Sequence, residues 1–253
     1  MAIFSEIKSR ILTNFEQNVQ KVEELRKFDE ILLEHITGLI KSYRDAATYP
    51  ATIAKLDKLF TSVSAIKSNG SLKENYRTIN NQCVVLLVSY FGSTVSEIFR
   101  KSFALSLEKN KSNTFGDAEL KLTVDEIKNI ISIEENSSLG DIYVKQKNIN
   151  FQDMKSTVNV FKNCFKSEMS RDEIVNNIIV GQACRNGIVH SGGLVDDRLI
   201  SQIRDANPRG LRIELELGSL ITFEKEDIDL IIKSMKQFLE ILMTKIGIYF
   251  SSE

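Results

Sequence analysis

The chain has 253 residues, of which 42% are hydrophobic and 26% charged, with a formal net charge of −1. That balance excludes a wholly disordered chain, which would need fewer apolar residues and more net charge, and a strongly basic nucleic-acid packaging protein. Only two Pro and 12 Gly favour long uninterrupted helices over collagen-like or linker-rich architecture.

No run approaches the roughly 18 uncharged apolar residues of a membrane span, so no membrane segment is expected. Glu6 and Lys8 sit where a signal peptide would need an apolar core, which argues against secretion. Cys83, Cys164 and Cys184 are widely spaced and form no CxxC pair. Neither a disulfide framework nor a structural zinc site is expected, no cofactor is implied, and a reducing cytoplasm fits best.

Residues 3–43 carry Ile3, Ile7, Ile11, Phe15, Val19, Val22, Leu25, Phe28, Leu32, Ile36 and Leu39 at intervals of three and four. This is the stripe of a long amphipathic helix. Pro50 marks its end or the start of the next element, and a second helix fits 52–67. The cluster Ser68-Asn69-Gly70-Ser71 is the clearest joint in the N-terminal half. It divides a helical extension, 1–68, from the remaining 69–253. Ser71-Leu72-Lys73-Glu74 matches a capping box that opens a helix running to about 109. The middle of that helix, Cys83-Val84-Val85-Leu86-Leu87-Val88, is apolar on nearly every face and predicts the most buried element.

A loop is predicted over 110–122, then a short helix from the capping box Thr123-Val124-Asp125-Glu126 to about 135. The stretch 136–150 reads as polar and irregular, and 153–165 as helical. Ser170-Arg171-Asp172-Glu173 predicts a cap for a helix reaching His190, stopped by Ser191-Gly192-Gly193. A short helix is predicted over 195–203. Alternation of Leu211, Ile213, Leu215 and Leu217 with Arg212, Glu214 and Glu216 predicts a half-buried strand. Gly218-Ser219 would turn it back into a second strand at 220–223. A last amphipathic helix covers 225–249. The fold class expected is all-α, a helical bundle with a small β-hairpin before its last helix.

The chemistry concentrates in Arg185-Asn186-Gly187-Ile188-Val189-His190. Asn186 and His190 are four apart and share a helical face, whereas Arg185 lies about 140° around the axis from His190. These residue types suit metal-independent cleavage of an RNA phosphodiester. Histidine titrates near neutral pH and can act as base or acid. An arginine fork can hold the extra negative charge of a phosphorane. Asparagine can orient the imidazole or donate to a phosphate oxygen. An Arg-Asn-Gly triplet at a helix end also serves as a plain stop, with His190 favoured by the helix dipole. Spacing by itself leaves both readings open.

The same stretch resembles the HEPN superfamily (higher eukaryotes and prokaryotes nucleotide-binding domain), whose RNase members carry R-x4–6-H, commonly R-N-x-x-x-H. The resemblance covers about 71–250. In several HEPN families the motif helix follows a long buried helix and precedes a short polar segment, a small β element and a long last helix. It implies catalytic roles for Arg185, Asn186 and His190, an RNA substrate, and a homodimer with a composite site. It also implies a toxin or antiviral-defence effector with an antitoxin or defence-system partner; a non-catalytic module binding RNA, nucleotide or protein is the alternative. The acidic residue that many members carry on the earlier buried helix falls here on Gly92, with Glu97 five residues later.

Other candidates are weaker. His35 lies in the first helix, where a surface role is the simpler reading. Cys184 has no paired histidine in sequence and reads as packing. Arg198, Arg204, Arg209 and Arg212 could contact phosphates, but Asp196, Asp197 and Asp205 are interleaved with them. No GxxxxGK[ST] loop occurs, which disfavours nucleotide triphosphate hydrolysis.

Overall fold

Apolar residues recurring every three or four positions, with few helix breakers, produce helix along almost the whole chain. The computed structural model describes residues 2–68, 73–109, 121–123, 137–213 and 215–251. Eight helices lie in these segments: α1 Ala2–Ala46, α2 Pro50–Ser68, α3 Lys73–Glu108, α4 Ser137–Gln146, α5 Met154–Phe165, α6 Glu173–His190, α7 Asp197–Ile203 and α8 Lys225–Ser251. The expected joint at 68–71, the cap at 71–74, the loop at 110–122 and the short helix at 123–135 fall wholly or mostly outside the described residues.

The architecture is all-α. Helix α3 is its centre, packed against α1, α4, α6 and α8. Cys83, Val84, Leu87, Val88, Phe91, Val95, Ile98 and Phe99 along it are buried. An apolar surface all round suits a helix with neighbours on every side. It also gives Tyr76–Glu108 the length and composition of a membrane-crossing helix, with a window of mean hydropathy 1.4 of which 56% is buried inside the protein. The sequence expectation that no stretch reaches that threshold is corrected accordingly.

The N-terminal half of α1 joins the same core through Phe4, Ile11, Phe15, Val19 and Val22. It is tied to α8 by Arg26, whose Nη1 lies 2.8 Å from Asp229 Oδ1. The later half of α1 pairs with α2 and leaves Phe28, Leu32 and Leu39 exposed.

Two expectations fail. The stretch 136–150 is not irregular, because Ser137–Gln146 is helix α4. Its buried Ile142 and Tyr143 pack on α3, and Asp141 pairs with Arg100 at 2.6 Å. Gly140 permits the contact: a Cβ there would lie 3.1 Å from Arg100 Cα.

The expected hairpin is also not found among the described residues. Among the described residues of 211–223 there is no strand, only an isolated antiparallel bridge between Leu220 and Leu194. The segment after Gly218 pairs with the turn that follows α6: Val195 N donates to Ser219 O, Gly218 N to Val195 O, and Ile221 N to Gly193 O. Side chains satisfy other backbone groups that a strand partner would have taken. Asn177 Oδ1 of α6 accepts from Gly210 N and Leu211 N. Asn80 and Asn81 of α3 donate to Phe223 O and Ile221 O, each at 2.8 Å.

Candidate active site

Helix α6 is built into the bundle rather than laid on it. From Val175 to Cys184 almost every residue is buried, on all faces, and only the last turn opens to solvent. Its N-cap is Asp172, not Ser170: the Asp172 carboxylate accepts from Val175 N at 3.1 Å. At the other end Ser191 N and Gly193 N both donate to Gly187 O. Gly192 and Gly193 take φ of 63° and 80°, the left-handed region where glycine avoids a Cβ penalty. The stop therefore falls immediately after His190.

Within that last turn, Arg185 Nη1 donates to Asn186 Oδ1 at 3.2 Å. Arg185 Nε is buried with no hydrogen-bond partner. His190 is exposed, one turn beyond Asn186 on the same face, and touches neither residue through a described hydrogen bond. The structure thus joins Arg185 to Asn186 and leaves His190 beside them at the open helix end.

Gly187 packs against the protein's own chain. A Cβ on it would lie 2.6 Å from Ile221 Cδ1 and 3.1 Å from Leu199 Cδ1. The close approach is made by the protein's own chain, so Gly187 is not available to let a second subunit's backbone in. Gly92 is filled in the same way. A Cβ there would meet Gln152 Cγ at 3.2 Å and Phe151 O at 3.4 Å, so the 151–152 loop occupies the place of the acid that the resemblance led one to expect. Glu97 lies 3.9 Å from Arg10 on the surface, away from the motif.

The remaining candidates separate clearly. His35 Nδ1 is 2.9 Å from Ile31 O in the exposed part of α1. Cys184 is fully buried, and burial pushes its thiol up to about 12, which makes it packing rather than a nucleophile. Arg204 Nη2 donates to Ser201 Oγ at 3.4 Å. Asp196 is structural: it caps α7 through Leu199 N at 2.8 Å and accepts from Ser191 Oγ at 2.6 Å. The Ser191 hydroxyl, then the Leu199 N–H, hold its carboxyl below the usual range.

Arg198 proves more interesting, because it lines a cavity of about 520 Å³ between α5, α6 and α7. Ile179, Gln182, Ala183 and Asn186 form its α6 wall. That wall follows the helical stripe that continues to His190. Sequence reasoning missed Gln182, although its four-residue spacing from Asn186 was available. Among the described residues no group of three or more His, Cys, Asp or Glu is placed to hold a metal ion. Comparison of the chain with protein-family models, curated proteins and solved structures finds no match in any of the three.

Proposed function

We propose that the protein is a HEPN-type endoribonuclease that cuts RNA without a metal. The observation that carries this reading is the Arg185–Asn186 hydrogen bond on the turn that presents His190 to solvent. Support also comes from the order of elements, in which a buried α3 precedes the motif helix α6 and a long α8 ends the bundle. On this reading 69–253 is the HEPN-like domain and 1–68 an added helical layer. A base takes the 2'-hydroxyl proton and the 2'-oxygen attacks phosphorus. The 5'-oxygen then leaves with a proton from an acid, giving a 2',3'-cyclic phosphate end. Arg185 stabilises the phosphorane. The unpaired Arg185 Nε–H fits such a role, since an unsatisfied buried donor costs about 1–3 kcal/mol that an incoming acceptor can offset.

One imidazole cannot take and give protons in the same step, so the reading includes a homodimer that brings in a second His190. The surface beside the motif suits it. Val189, Leu194, Leu217 and Leu220 are 46%, 44%, 62% and 65% exposed, an apolar rim around an otherwise polar site. Toxin or defence activity, with an antitoxin or defence-system partner, extends the same proposal.

A non-catalytic RNA- or nucleotide-binding module is the second reading, favoured by an exposed His190 that no described side chain orients. Incubation of the purified protein with mixed RNA and EDTA decides between them. Cleavage by wild type but not by His190→Ala, leaving cyclic phosphate ends, is expected. Absence of cleavage by either would leave the binding module.

A further inference from the structure

We propose that the cavity between α5, α6 and α7 seats one unpaired nucleotide whose base carries a keto oxygen at pyrimidine C4 or purine C6, uracil or guanine. This deepens the reading of the neighbouring motif as an RNA-cleaving site and rests on it. Gln182 is the central residue. Its side chain lines the cavity, is 5% exposed, and accepts from Met154 N at 2.9 Å through Oε1. Met154 opens α5, and its N–H can only donate. The amide orientation of Gln182 is therefore set, with Nε2 turned away as a donor. That Nε2 is buried and has no hydrogen-bond partner. Buried donors are almost always paired in native proteins, so an orphan beside a cavity marks where an acceptor belongs.

Asn186 repeats the arrangement one turn later. Its Oδ1 is occupied by Arg185 Nη1, which leaves Nδ2 as the group it offers to the cavity it lines. Two amide donors about 6 Å apart along one helix face suit a ligand with acceptors on its edge. Uracil O4 and guanine O6 with N7 provide them. Cytosine and adenine would present amino groups at the corresponding positions, donor against donor. Lys155, Arg171 and Arg198 also line the cavity and are exposed. None of them pairs within 4 Å with a described carboxylate, although Asp153 and Asp205 line the same cavity and Arg198 acts on Asp196 from a distance. The three basic side chains are placed to hold the phosphate of the same nucleotide. A volume of about 520 Å³ lies within the usual range for small-molecule sites. A base can enter only when unstacked, which selects single-stranded RNA.

Nucleoside 5'-monophosphates contain no bond that the nuclease would cut, so their binding is measured independently of cleavage. Calorimetry on the wild-type protein should show UMP and GMP binding at least about tenfold tighter than CMP and AMP. Inorganic phosphate should be weaker still. Gln182→Glu keeps the acceptor for Met154 N and removes the donor; it should weaken UMP binding by at least about tenfold and erase the preference. Arg198→Ala should weaken all four nucleotides alike. Equal binding of all four with inorganic phosphate as good would make the cavity an anion hole and overturn the proposal. So would no binding at millimolar nucleotide. The wild-type comparison needs no variant, so it stands even if Gln182→Glu fails to fold. Keto-selective binding without RNA cleavage would uphold the pocket and sink the nuclease reading. Cleavage without nucleotide selectivity would do the reverse.

Discussion

A Cβ placed on Gly187 would lie 2.6 Å from Cδ1 of Ile221, so the motif helix touches the segment before α8 at the glycine between Asn186 and His190. The nearest atom is the tip of a flexible side chain, and alanine gains about 1 kcal/mol of helix propensity over glycine. Gly187→Ala should therefore stay within about 1 kcal/mol of wild type. Gly187→Val, with methyls that must also meet Leu199 and Leu194 O, should destabilise by about 2–3 kcal/mol. Urea unfolding in an Ile221→Val background should recover part of that loss, a coupling of at least about 0.5 kcal/mol. Strict additivity would mean that the contact does not constrain the helix.

The cap of α6 provides a second test. Asp172 accepts from Val175 N, whereas Ser170 lies outside the helix. Asp172→Ala should cost about 1 kcal/mol, while Ser170→Ala should be close to neutral. Equal losses in denaturant midpoint would return the cap to Ser170.

Both the α6 cap and the hairpin show what periodicity conveys and what it misses. The long helices and the stop after His190 follow from apolar spacing and from Gly192 and Gly193, which are local signals. The choice of Asp172 over Ser170 was ambiguous because either oxygen can cap a helix start. In the hairpin region the alternation of Leu211, Ile213, Leu215 and Leu217 is real, but alternation says only that one side is buried. It does not say whether backbone groups pair with a strand or with Asn80, Asn81 and Asn177, more than 30 residues away in sequence. Helix α4 was legible in Leu139, Ile142 and Tyr143 at helical spacing, masked by polar neighbours. At the site, Arg185, Asn186 and His190 were readable as a motif. The cavity was not, because Lys155, Gln182 and Arg198 come from three helices.

Acid should act on this region through Asp196. Its folded carboxyl titrates below the usual range because it accepts from Ser191 Oγ and Leu199 N. A depressed carboxylate contributes stability that is fully present above its unfolded value of about 3.9 and is lost as pH falls through the lower folded value. Asp196→Asn should therefore flatten part of the fall in Tm below about pH 4 while leaving the pH 6–8 region parallel to wild type. Identical acid limbs in the two proteins would show that Asp196 has no share in acid sensitivity.

Removal of the guanidinium should separate catalysis from folding. Arg185→Ala should lower the cleavage rate about a hundred- to thousandfold, the loss of about 2.7–4 kcal/mol seen when an oxyanion donor is deleted. Its Nε makes no hydrogen bond and its Nη1 bonds only the neighbouring Asn186 side chain, so the same variant should lose no more than about 1 kcal/mol of stability. Asn186→Ala should slow cleavage less, because its carbonyl positions Arg185 rather than carrying charge. Full activity in well-folded Arg185→Ala would take arginine out of the mechanism.

The composite site makes the most demanding prediction. Each chain has a single histidine near the motif, since His35 lies in the exposed half of α1 and Glu97 is engaged toward Arg10. Buried residues cover most of α6, and Gly187 faces Ile221, so a two-fold contact cannot run along the helix. On the proposed dimeric reading, the contact would instead use Val189, Leu194, Leu217 and Leu220, which are exposed near its open end. Leu217→Glu with Leu220→Lys should convert a sedimenting dimer to monomer and abolish cleavage, without unfolding the bundle, because both leucines are exposed and lie outside the helices. Mixing inactive Arg185→Ala and His190→Ala proteins should return partial activity once subunits exchange, as the heterodimer holds one intact arginine and one intact histidine. The same mixture made from chains that also carry Leu217→Glu and Leu220→Lys should stay silent. An active monomer at assay concentration would end the composite-site model and place both proton transfers within one chain.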